Sequence, residues 1–406
     1  MTTDTLPHWL AQQAEARGYN TALRYKRLGV WHQKTWGDLH QEVLLLAQQL
    51  KQKGFAEGDT LFLLSHPWPE TTLLSIAAQL LGGVAAPLNP EQESVSLLIL
   101  LRELQPVFVF AENQFQVDQI LELQLGELLL RDQHIIYADE RGLSGYEQPG
   151  LVSYSDLLSD ASLSRTSYTE LQHTSNTGQS DTADTAFAFY RLNEQKQLEL
   201  QTLSHTEILA HGKQLIAREA LTANEEALAA RTFAASGHTR YLLGPWLLAG
   251  FKLNFPENIA TRDNDRRELG PTLVAGTAQT YQRLFEHIQS RLPLAGTFQR
   301  TLFDWALSTQ PRALFLRKLI AYWLIIRPLR DVIGFSRTRV PLLVGESLSQ
   351  ESAHFFLALG IQIRTWPDST EWQKSAPSNI PNTRQHSSNE AVQAHTHLHA
   401  LLGSRI

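Results

Sequence analysis

Residues 60–88 read TLFLLSHPWPETTLLSIAAQLLGGVAAPL, and this stretch decides the fold class. Thr60-Leu-Phe-Leu-Leu predicts a buried strand, Glu70–Leu81 predicts a helix that ends at Gly82-Gly83, and Val84-Ala-Ala-Pro-Leu predicts a second buried strand. Strands that alternate with helices in this rhythm pair in parallel. The stretch therefore predicts an α/β protein with a mostly parallel sheet.

The same alternation continues on both sides of this stretch. Upstream, a helix begins near Thr35, where Thr35 or Asp38 is suited to cap it, and runs to Leu50. Downstream, the pattern predicts a helix over Glu93–Leu104, a strand over Val107–Phe110, a helix around Val117–Leu123 and a strand at Ile135-Ile-Tyr. Further strand-like pieces are Phe187-Ala-Phe-Tyr, Thr272-Leu-Val-Ala and Pro341-Leu-Leu-Val.

The length of 406 residues exceeds the ~250–300 residues at which single cores stop growing, so more than one unit is expected. Residues 1–153 are predicted to form a first α/β subdomain and residues 184–371 a second. Between them, residues 154–183 are rich in Ser, Thr, Asp and Gln, which predicts a linker or a surface excursion. Residues 372–406 are predicted to form a polar tail with a short helix.

Composition excludes several classes of function. The chain has 35 Lys and Arg against 41 Asp and Glu, and its net charge of −6 offers no field that attracts nucleic acid. It has no cysteine, so it can form neither a disulfide nor a thiolate metal site. No metal is expected at His395, His397 and His399 either, because no carboxylate or cysteine lies at a spacing that would complete a metal site. Without a secretory signal or an apolar run of ~18–20 residues, we expect a soluble, cytoplasmic protein.

Three separated stretches resemble the adenylate-forming superfamily, and specifically the long-chain acyl-CoA synthetases. They are Ala22-Leu-Arg-Tyr-Lys through Gly82-Gly-Val-Ala-Ala-Pro, then Leu248-Ala-Gly-Phe-Lys-Leu-Asn-Phe-Pro-Glu with Leu269-Gly-Pro-Thr, and Arg327-Pro-Leu-Arg-Asp with Gly345-Glu-Ser-Leu-Ser. They occur in the family's order over residues 5–371. The resemblance implies the family's large N-terminal domain, in which two α/β subdomains with mostly parallel sheets are stacked.

The resemblance places the family's phosphate loop, Thr-Ser-Gly-Thr-Thr-Gly, on residues 191–196. A phosphate cradle needs small, flexible residues so that backbone N–H groups can approach the oxygens. Residues 191–201 contain no Gly, Ser or Thr, Glu194 lies inside the loop, and Glu199 takes the place of the family's lysine. Arg191, Asn193, Lys196 and Glu199 are therefore predicted to be remnants of a nucleotide site that binds Mg-ATP poorly.

Other positions of the implied nucleotide site are partly altered. The family's adenine-binding Gly-Ala-Pro falls on Gly345, Glu346 and Ser347, and its Thr-Glu pair is retained as Thr370 and Glu371. Only 35 residues follow Glu371, and they do not resemble the family's C-terminal lid with its catalytic lysine. The resemblance thus implies degenerate motifs with no confident catalytic residue.

A basic amphipathic segment carries a second hypothesis. Arg317, Lys318, Tyr322, Trp323, Arg327 and Arg330 are interleaved with apolar residues, a pattern typical of helices that contact an anionic bilayer. The competing interpretation is a core helix with arginines at its rim. His205 and His238 lie near former active-site segments and are each predicted to be satisfied interior histidines.

These observations predict a pseudoenzyme of the AMP-dependent synthetase family that binds a partner protein or an acyl chain. The partner would be an active acyl-CoA synthetase or a lipid-handling complex, and no cofactor is expected. The alternative is a reduced fatty acyl-CoA ligase that uses Mg-ATP and CoA, borrows a lid from another subunit and holds ATP through Arg191, Lys196, Thr370 and Glu371.

Overall fold

The computed structural model describes residues 4–126, 133–159, 170–171, 185–307, 320–368 and 372–374. Its helices are α1 (Leu6–Arg17), α2 (Trp36–Gln52), α3 (Pro69–Leu80), α4 (Ser94–Leu104), α5 (Gln114–Gly126), α6 (Tyr154–Ser159), α7 (His205–Glu219), α8 (Ser236–His238), α9 (Gly244–Ala249), α10 (Arg262–Leu269), α11 (Ala278–Gln289), α12 (Phe298–Leu307), α13 (Arg327–Val332) and α14 (Gln350–Ala358). π-Helical turns at Thr239–Leu243 and Tyr322–Ile326 precede α9 and α13.

The strands are β1 (Thr21–Arg27), β2 (Val30–Thr35), β3 (Thr60–Leu64), β4 (Val84–Leu88), β5 (Phe108–Ala111), β6 (His134–Tyr137), β7 (Leu151–Ser153), β8 (Thr185–Leu192), β9 (Leu198–Ser204), β10 (Glu226–Leu228), β11 (Lys252–Phe255), β12 (Leu273–Gly276), β13 (Val340–Val344), β14 (Arg364–Trp366) and β15 (Gln373–Lys374). They form two sheets. One has the order β15-β9-β8-β4-β3-β5-β6-β7, and the other has the order β14-β13-β12-β10-β11-β1-β2.

The local predictions for residues 35–88 are confirmed. Thr35 caps α2, and Thr35 and Asp38 together form a capping box. The strand–helix–strand unit is present as β3, α3 and β4, and β3 pairs with β4 in parallel. Gly82 follows α3 with φ of 75°, a left-handed conformation that glycine adopts without strain. Most pairs in both sheets are parallel, so the predicted α/β class is confirmed.

Each sheet takes strands from both halves of the chain. The N-terminal strand β1 pairs with β11, with Leu23 opposite Leu253. Conversely, β8 pairs with β4, with Phe187 opposite Ala85. The chain therefore crosses between the sheets more than once, and residue 184, where the sequence suggested a boundary, does not separate the strands of one sheet from those of the other.

A large apolar core lies where the two sheets and their helices meet, and it includes residues from α1, α2, α3, α7 and α9. At its centre, Trp36 of α2 and Trp246 of α9 stack with ring centroids 4.8 Å apart. The Trp246 Nε1–H group donates to the Ala22 carbonyl at 3.0 Å, which ties α9 to β1. Among the described residues, none of the helices is long and apolar enough to cross a bilayer.

Candidate functional site

The predicted phosphate-loop position is a tight turn between β8 and β9, residues 193–197. The Asn193 side-chain oxygen accepts hydrogen bonds from the backbone N–H groups of Gln195 and Gln197, at 3.0 and 2.9 Å. The Lys196 N–H donates to the Asn193 carbonyl at 2.9 Å, and the Asn193 N–H donates to the Gln197 carbonyl at 3.0 Å. Four backbone donors of this turn are therefore used within the turn itself.

The charged residues flanking the turn are also engaged with neighbours. Arg191 Nε donates to Glu199 Oε2 at 2.8 Å, and the Arg191 guanidinium lies 4.2 Å from the Trp372 ring centre. Lys196 adopts φ of 57°, in the left-handed region that a residue with a Cβ atom enters at a cost. The strands that flank the turn are thus joined by an ion pair across the hairpin.

The other predicted nucleotide-site residues lie near the end of β13. Gly345 has φ of 93°, and its N–H donates to the Trp366 carbonyl at 3.0 Å. Glu346 and Ser347 are exposed. Thr370 and Glu371 lie outside the described residues. The structure therefore places only part of this predicted set.

The described part of the predicted membrane segment lies on the surface. Trp323 is 55% exposed, and the Arg327 guanidinium lies 4.4 Å from its ring centre. Arg330 instead turns towards the backbone, with Nε donating to the Phe335 carbonyl at 3.2 Å, and Tyr322 is exposed. Arg317 and Lys318 lie outside the described residues. Residues 320–324 are thus mostly exposed and do not form a fully buried core helix, although Ala321 is buried.

A cavity of about 550 Å³, called here the first cavity, opens between the two sheets. It is lined by residues that directly follow strands β3, β4, β10 and β11 and by the end of β12, among them His66, Asn89, Arg231, Pro256 and Gly276. The carboxyl ends of parallel strands are where open α/β sheets bind ligands. The first cavity therefore lies in the place that this architecture offers to a ligand.

The charge of the first cavity is positive among the described residues. Its lining includes Arg231, Arg262, Arg266 and Arg283, and the carboxylates of Glu91 and Asp368. Behind the lining, Asp263 pairs with Arg266 at 2.7 Å and with Arg283 at 2.9 Å. Four guanidinium groups thus face three carboxylates, which leaves one excess positive charge.

Arg231 is a buried charged residue of this cavity with unsatisfied donors. Its side chain is 6% exposed, and its Nη2 donates to Asp368 Oδ2 at 3.1 Å. Its Nε and Nη1 atoms have no hydrogen-bond partner among the described residues. Burial lowers the pKa of Arg231, and the neighbouring Asp368 carboxylate opposes that shift. A buried donor without a partner costs about 1–3 kcal/mol, so these two nitrogen atoms reduce the stability of the fold.

The residues after Arg231 extend this unsatisfied region. Ser236 Oγ, His238 Nε2 and Thr239 Oγ1 are buried and have no partner among the described residues. Burial lowers the pKa of His238 to about 3, so its imidazole is neutral. The prediction that His238 lies in the interior is confirmed, but only its Nδ1, 3.2 Å from the Arg231 carbonyl oxygen, is satisfied. The same prediction for His205 is confirmed, because its Nδ1 accepts from the Leu6 N–H at 3.2 Å.

A histidine–carboxylate pair lies on the opposite sheet. His66, after β3, has its Nδ1 2.6 Å from Glu112 Oε2, and its backbone N–H donates to the same oxygen at 2.8 Å. Burial opposes protonation of His66, but the hydrogen bond and charge of Glu112 outweigh it and raise the pKa of His66. Glu91 Oε1 lies 3.7 Å from His66 Nε2. A protonated His66 is therefore paired with the Glu112 carboxylate, so the pair adds no net charge to the first cavity.

Sequence reasoning missed Arg231, His66 and Glu112. For His66 and Glu112 a signal was available. His66 follows β3 and Glu112 follows β5, and the carboxyl ends of these two parallel strands lie at the same edge of the sheet. Arg231 is flanked by apolar and small residues in Ala229-Ala-Arg-Thr-Phe, where an isolated charge is unusual. Nothing local indicated that these residues face one region.

Comparison with known sequences gives two matches. The AMP-binding enzyme family matches residues 10–186. The long-chain-fatty-acid–CoA ligase ACSBG1 of Macaca fascicularis is 27% identical over 110 residues, which are 25% of this chain and 15% of that ligase. The matched stretch is thus a small part of that ligase. Both matches agree with the resemblance to acyl-CoA ligases.

Solved structures with the same fold are adenylate-forming enzymes. The adenylation domain of a Mycobacterium chelonae carboxylate reductase superposes with a TM-score of 0.65 and 14% identity, over 90% of this chain and 57% of that chain. A benzoate CoA ligase from Burkholderia xenovorans gives 0.62 and 16%, over 90% and 61%. The N-terminal domain of FACL13 from Mycobacterium tuberculosis gives 0.60 and 12%, over 90% and 76%. The fold is therefore that of the large N-terminal domain of adenylate-forming enzymes.

Proposed function

We propose that this protein is a non-catalytic relative of AMP-forming acyl-CoA ligases and that it acts by binding rather than by adenylation. One observation carries the proposal. Four of the five backbone donors of residues 193–197, where such a ligase would hold phosphates, are used by the side chain and the carbonyls of their own turn. A triphosphate would have to compete with all of them.

Energetics support this proposal. Freeing the Gln195 and Gln197 N–H groups would break two hydrogen bonds, each contributing about 0.5–1.5 kcal/mol. Glu194 would then face the phosphates, and a like charge ~4 Å away costs on the order of 1–4 kcal/mol. Arg191 would offset little of this repulsion, because it already pairs with Glu199 and contacts Trp372.

The bound species in this proposal is a small ligand held in the first cavity. The cavity volume of about 550 Å³ lies within the range of ~300–1,000 Å³ that is usual for ligand sites. Its walls combine apolar residues, such as Leu228, Ile259 and Val274, with the arginines described above. An acyl chain is one such ligand. A role in binding is also compatible with a protein partner, such as an active acyl-CoA synthetase, in place of a small ligand.

Calorimetric titration with Mg-ATP tests the proposal. We expect no binding tighter than about 1 mM for the natural protein. The variant Glu199→Lys restores the lysine at the family's position and releases Arg191 from its ion pair. We still expect no binding tighter than about 1 mM, because the donors of the turn remain occupied. Binding of Mg-ATP by the natural protein at micromolar strength would refute the proposal.

A second assay addresses the rival hypothesis of a reduced fatty acyl-CoA ligase. Its supporting feature is the similarity to acyl-CoA ligases, whose reaction is acid–thiol ligation. Pyrophosphate release is measured with a fatty acid, Mg-ATP and CoA, with and without a cell extract that could supply a lid in trans. We expect no release that depends on this protein. Release that is lost in the variant Arg191→Ala would favour the ligase.

A further inference from the structure

We infer that the surface formed by Ile320, Tyr322, Trp323, Leu324 and Arg327 docks on an anionic lipid bilayer. These side chains, called here the docking surface, lie on the π-helical turn that precedes α13 and at its two ends. None of them lines the first cavity. The inference therefore goes beyond the proposed function and does not depend on what that cavity holds.

The docking surface is apolar and yet not buried. Residues 322–332 read YWLIIRPLRDV, and none of them is buried. In α3, which is also rich in apolar residues, eleven of the twelve residues are buried. Leu324 is 59% exposed and Trp323 is 55% exposed. Helices with this much apolar surface are usually covered, and exposed apolar patches mark sites that bind a protein or a membrane.

The opposite side of the same segment is attached to the protein. Ile325, Ile326 and Leu329 pack against an apolar cluster that contains Phe303 and Phe335. The segment thus has an inner side held by packing, and Tyr322, Trp323 and Leu324 remain exposed. Because the backbone is already ordered, little conformational entropy is lost when the exposed side chains meet another surface.

A contact between an arginine and an aromatic ring adds charge to this apolar surface. Arg327 is exposed, and its guanidinium lies 4.4 Å from the Trp323 ring centre. Trp and Tyr side chains favour the headgroup level of a bilayer, where the ring is partly in the apolar phase. An arginine there can keep its stem in apolar surroundings while its charge reaches the lipid phosphates. The pair therefore suits the boundary between headgroups and acyl chains.

The charge of the surrounding sequence favours an anionic bilayer. Residues 291–330 contain seven basic residues and one acidic residue, whereas the rest of the chain has twelve more acidic than basic residues. Three of the seven, Arg312, Arg317 and Lys318, lie outside the described residues. The acidic residue, Asp304, is paired with Arg300 at 3.0 Å. An anionic surface would attract this segment and repel the remainder, which would orient the protein on the bilayer.

A second copy of the chain is a less suitable partner for this surface. A two-fold symmetric contact places the same patch of both copies together, so the two Arg327 guanidinium groups would approach each other. Residues 320–330 contain no acidic residue that could separate these charges. Like charges repel, whereas an anionic lipid supplies the opposite charge.

The contact would be peripheral. As a helix, residues 322–332 span about 16 Å, roughly half of the ~30 Å hydrocarbon thickness of a bilayer. An amphipathic segment of this length lies in the plane of the interface, with its apolar side chains entering the boundary between headgroups and acyl chains.

Co-sedimentation with lipid vesicles tests the inference. The vesicles contain phosphatidylcholine alone or phosphatidylcholine with about one third phosphatidylserine. We expect the natural protein to bind the anionic vesicles at least about tenfold more tightly than the neutral ones, and to lose most of this binding when the salt concentration rises from about 0.1 M to about 1 M. Failure to bind the anionic vesicles, or equal binding to both kinds, would overturn the inference.

Variants assign the contact to the docking surface. Leu324→Asn should weaken binding to anionic vesicles at least about fivefold, because an apolar group that enters the bilayer is lost. Arg327→Gln should weaken it about fivefold through loss of charge. The matched controls are Phe115→Asn, at a position of α5 that is also 59% exposed, and Arg102→Gln, at an exposed position of α4. Both controls should bind as the natural protein does.

Circular dichroism establishes that each variant is folded. Unchanged binding in folded Leu324→Asn, or an equal loss in Phe115→Asn, would overturn the inference. So would binding that persists in Arg327→Gln with the salt dependence of the natural protein.

A fluorescent label reports the contact directly. Because the chain has no cysteine, one introduced cysteine is a unique site for attachment. Leu324→Cys and Phe115→Cys are each labelled with a dye whose emission moves to shorter wavelength in apolar surroundings. We expect anionic vesicles to shift the emission of the label at position 324 only. A shift at position 115 alone, or a concentration-dependent shift at position 324 without vesicles, would overturn the inference, and the second result would assign the surface to self-association.

Discussion

The turn at residues 193–197 and the first cavity differ in how they use their hydrogen-bond donors. In the turn, backbone N–H groups bond to the side chain and carbonyl of Asn193. In the cavity, Arg231 leaves two nitrogen atoms without a partner among the described residues. The difference shows that the buried donors left without partners lie beside the cavity and not in the turn to which the resemblance pointed.

The largest effect is expected from Gly237→Ala. The new Cβ atom would overlap the buried Arg231 guanidinium, so we expect the free energy of unfolding to fall by about 2–3 kcal/mol. Urea denaturation followed by circular dichroism measures it. In an Arg231→Met background the same substitution should cost less than ~1 kcal/mol, because the overlap is gone. Equal costs in both backgrounds would contradict this explanation.

Arg231→Met should destabilise the protein by about 1–2 kcal/mol. The substitution removes two buried donors without partners, but it also deprives Asp368 of its ion pair, and Asp368 Oδ1 is itself buried without a partner among the described residues. The shift in the midpoint of urea denaturation measures the effect. A gain in stability would show that the two unpaired donors of Arg231 outweigh its ion pair with Asp368.

Asn193→Ala should destabilise the protein by about 1 kcal/mol. It removes the acceptor of the Gln195 and Gln197 N–H groups, but the turn is exposed and water replaces part of the loss. Thermal denaturation provides the measurement, with Gln195→Ala as the control that leaves the backbone bonds intact. If the two variants were equally stable, the Asn193 side chain would not be what closes the turn.

The His66–Glu112 pair predicts a smaller, pH-dependent effect. The pKa of His66 is raised in the folded state, against burial, by Glu112 and to a lesser degree by Glu91. Its stabilising contribution is therefore fully present below about pH 6.5, the ordinary value, and is lost as the pH rises through the folded pKa. Denaturation midpoints across this range should show the loss in the natural protein and not in Glu112→Gln. The same pH dependence in both proteins would exclude the pair as its source.

The smallest effect is expected from Lys196→Gly. Lys196 has a left-handed φ of 57°, which costs a residue with a Cβ atom about 1–2 kcal/mol. Glycine removes that strain but gives the unfolded chain more freedom, a loss of roughly 0.5–1 kcal/mol. A net stabilisation of about 0.5 kcal/mol should appear as a small rise in the thermal midpoint. Lys196→Ala keeps the strain and should show no such rise.

The sequence determined what depends on neighbouring residues. Residues 60–88 and a helix cap at Thr35 or Asp38 were predicted correctly, because periodicity and capping involve residues only a few positions apart. The lack of Gly, Ser and Thr over residues 191–201 was equally visible in the sequence. That observation led to the prediction that the former phosphate loop cannot hold phosphates, which awaits the titration with Mg-ATP.

Only the tertiary structure decided which distant segments meet. The pairing of β1 with β11 and of β8 with β4 is not encoded in any local pattern. Arg231 and Asp368 are 137 residues apart, and they meet because β10 and β14 of the same sheet bring their carboxyl ends to one cavity. Whether a buried donor finds a partner depends on all the residues packed around it. Spacing along the chain shows which groups are present, but packing decides which of them remain unsatisfied.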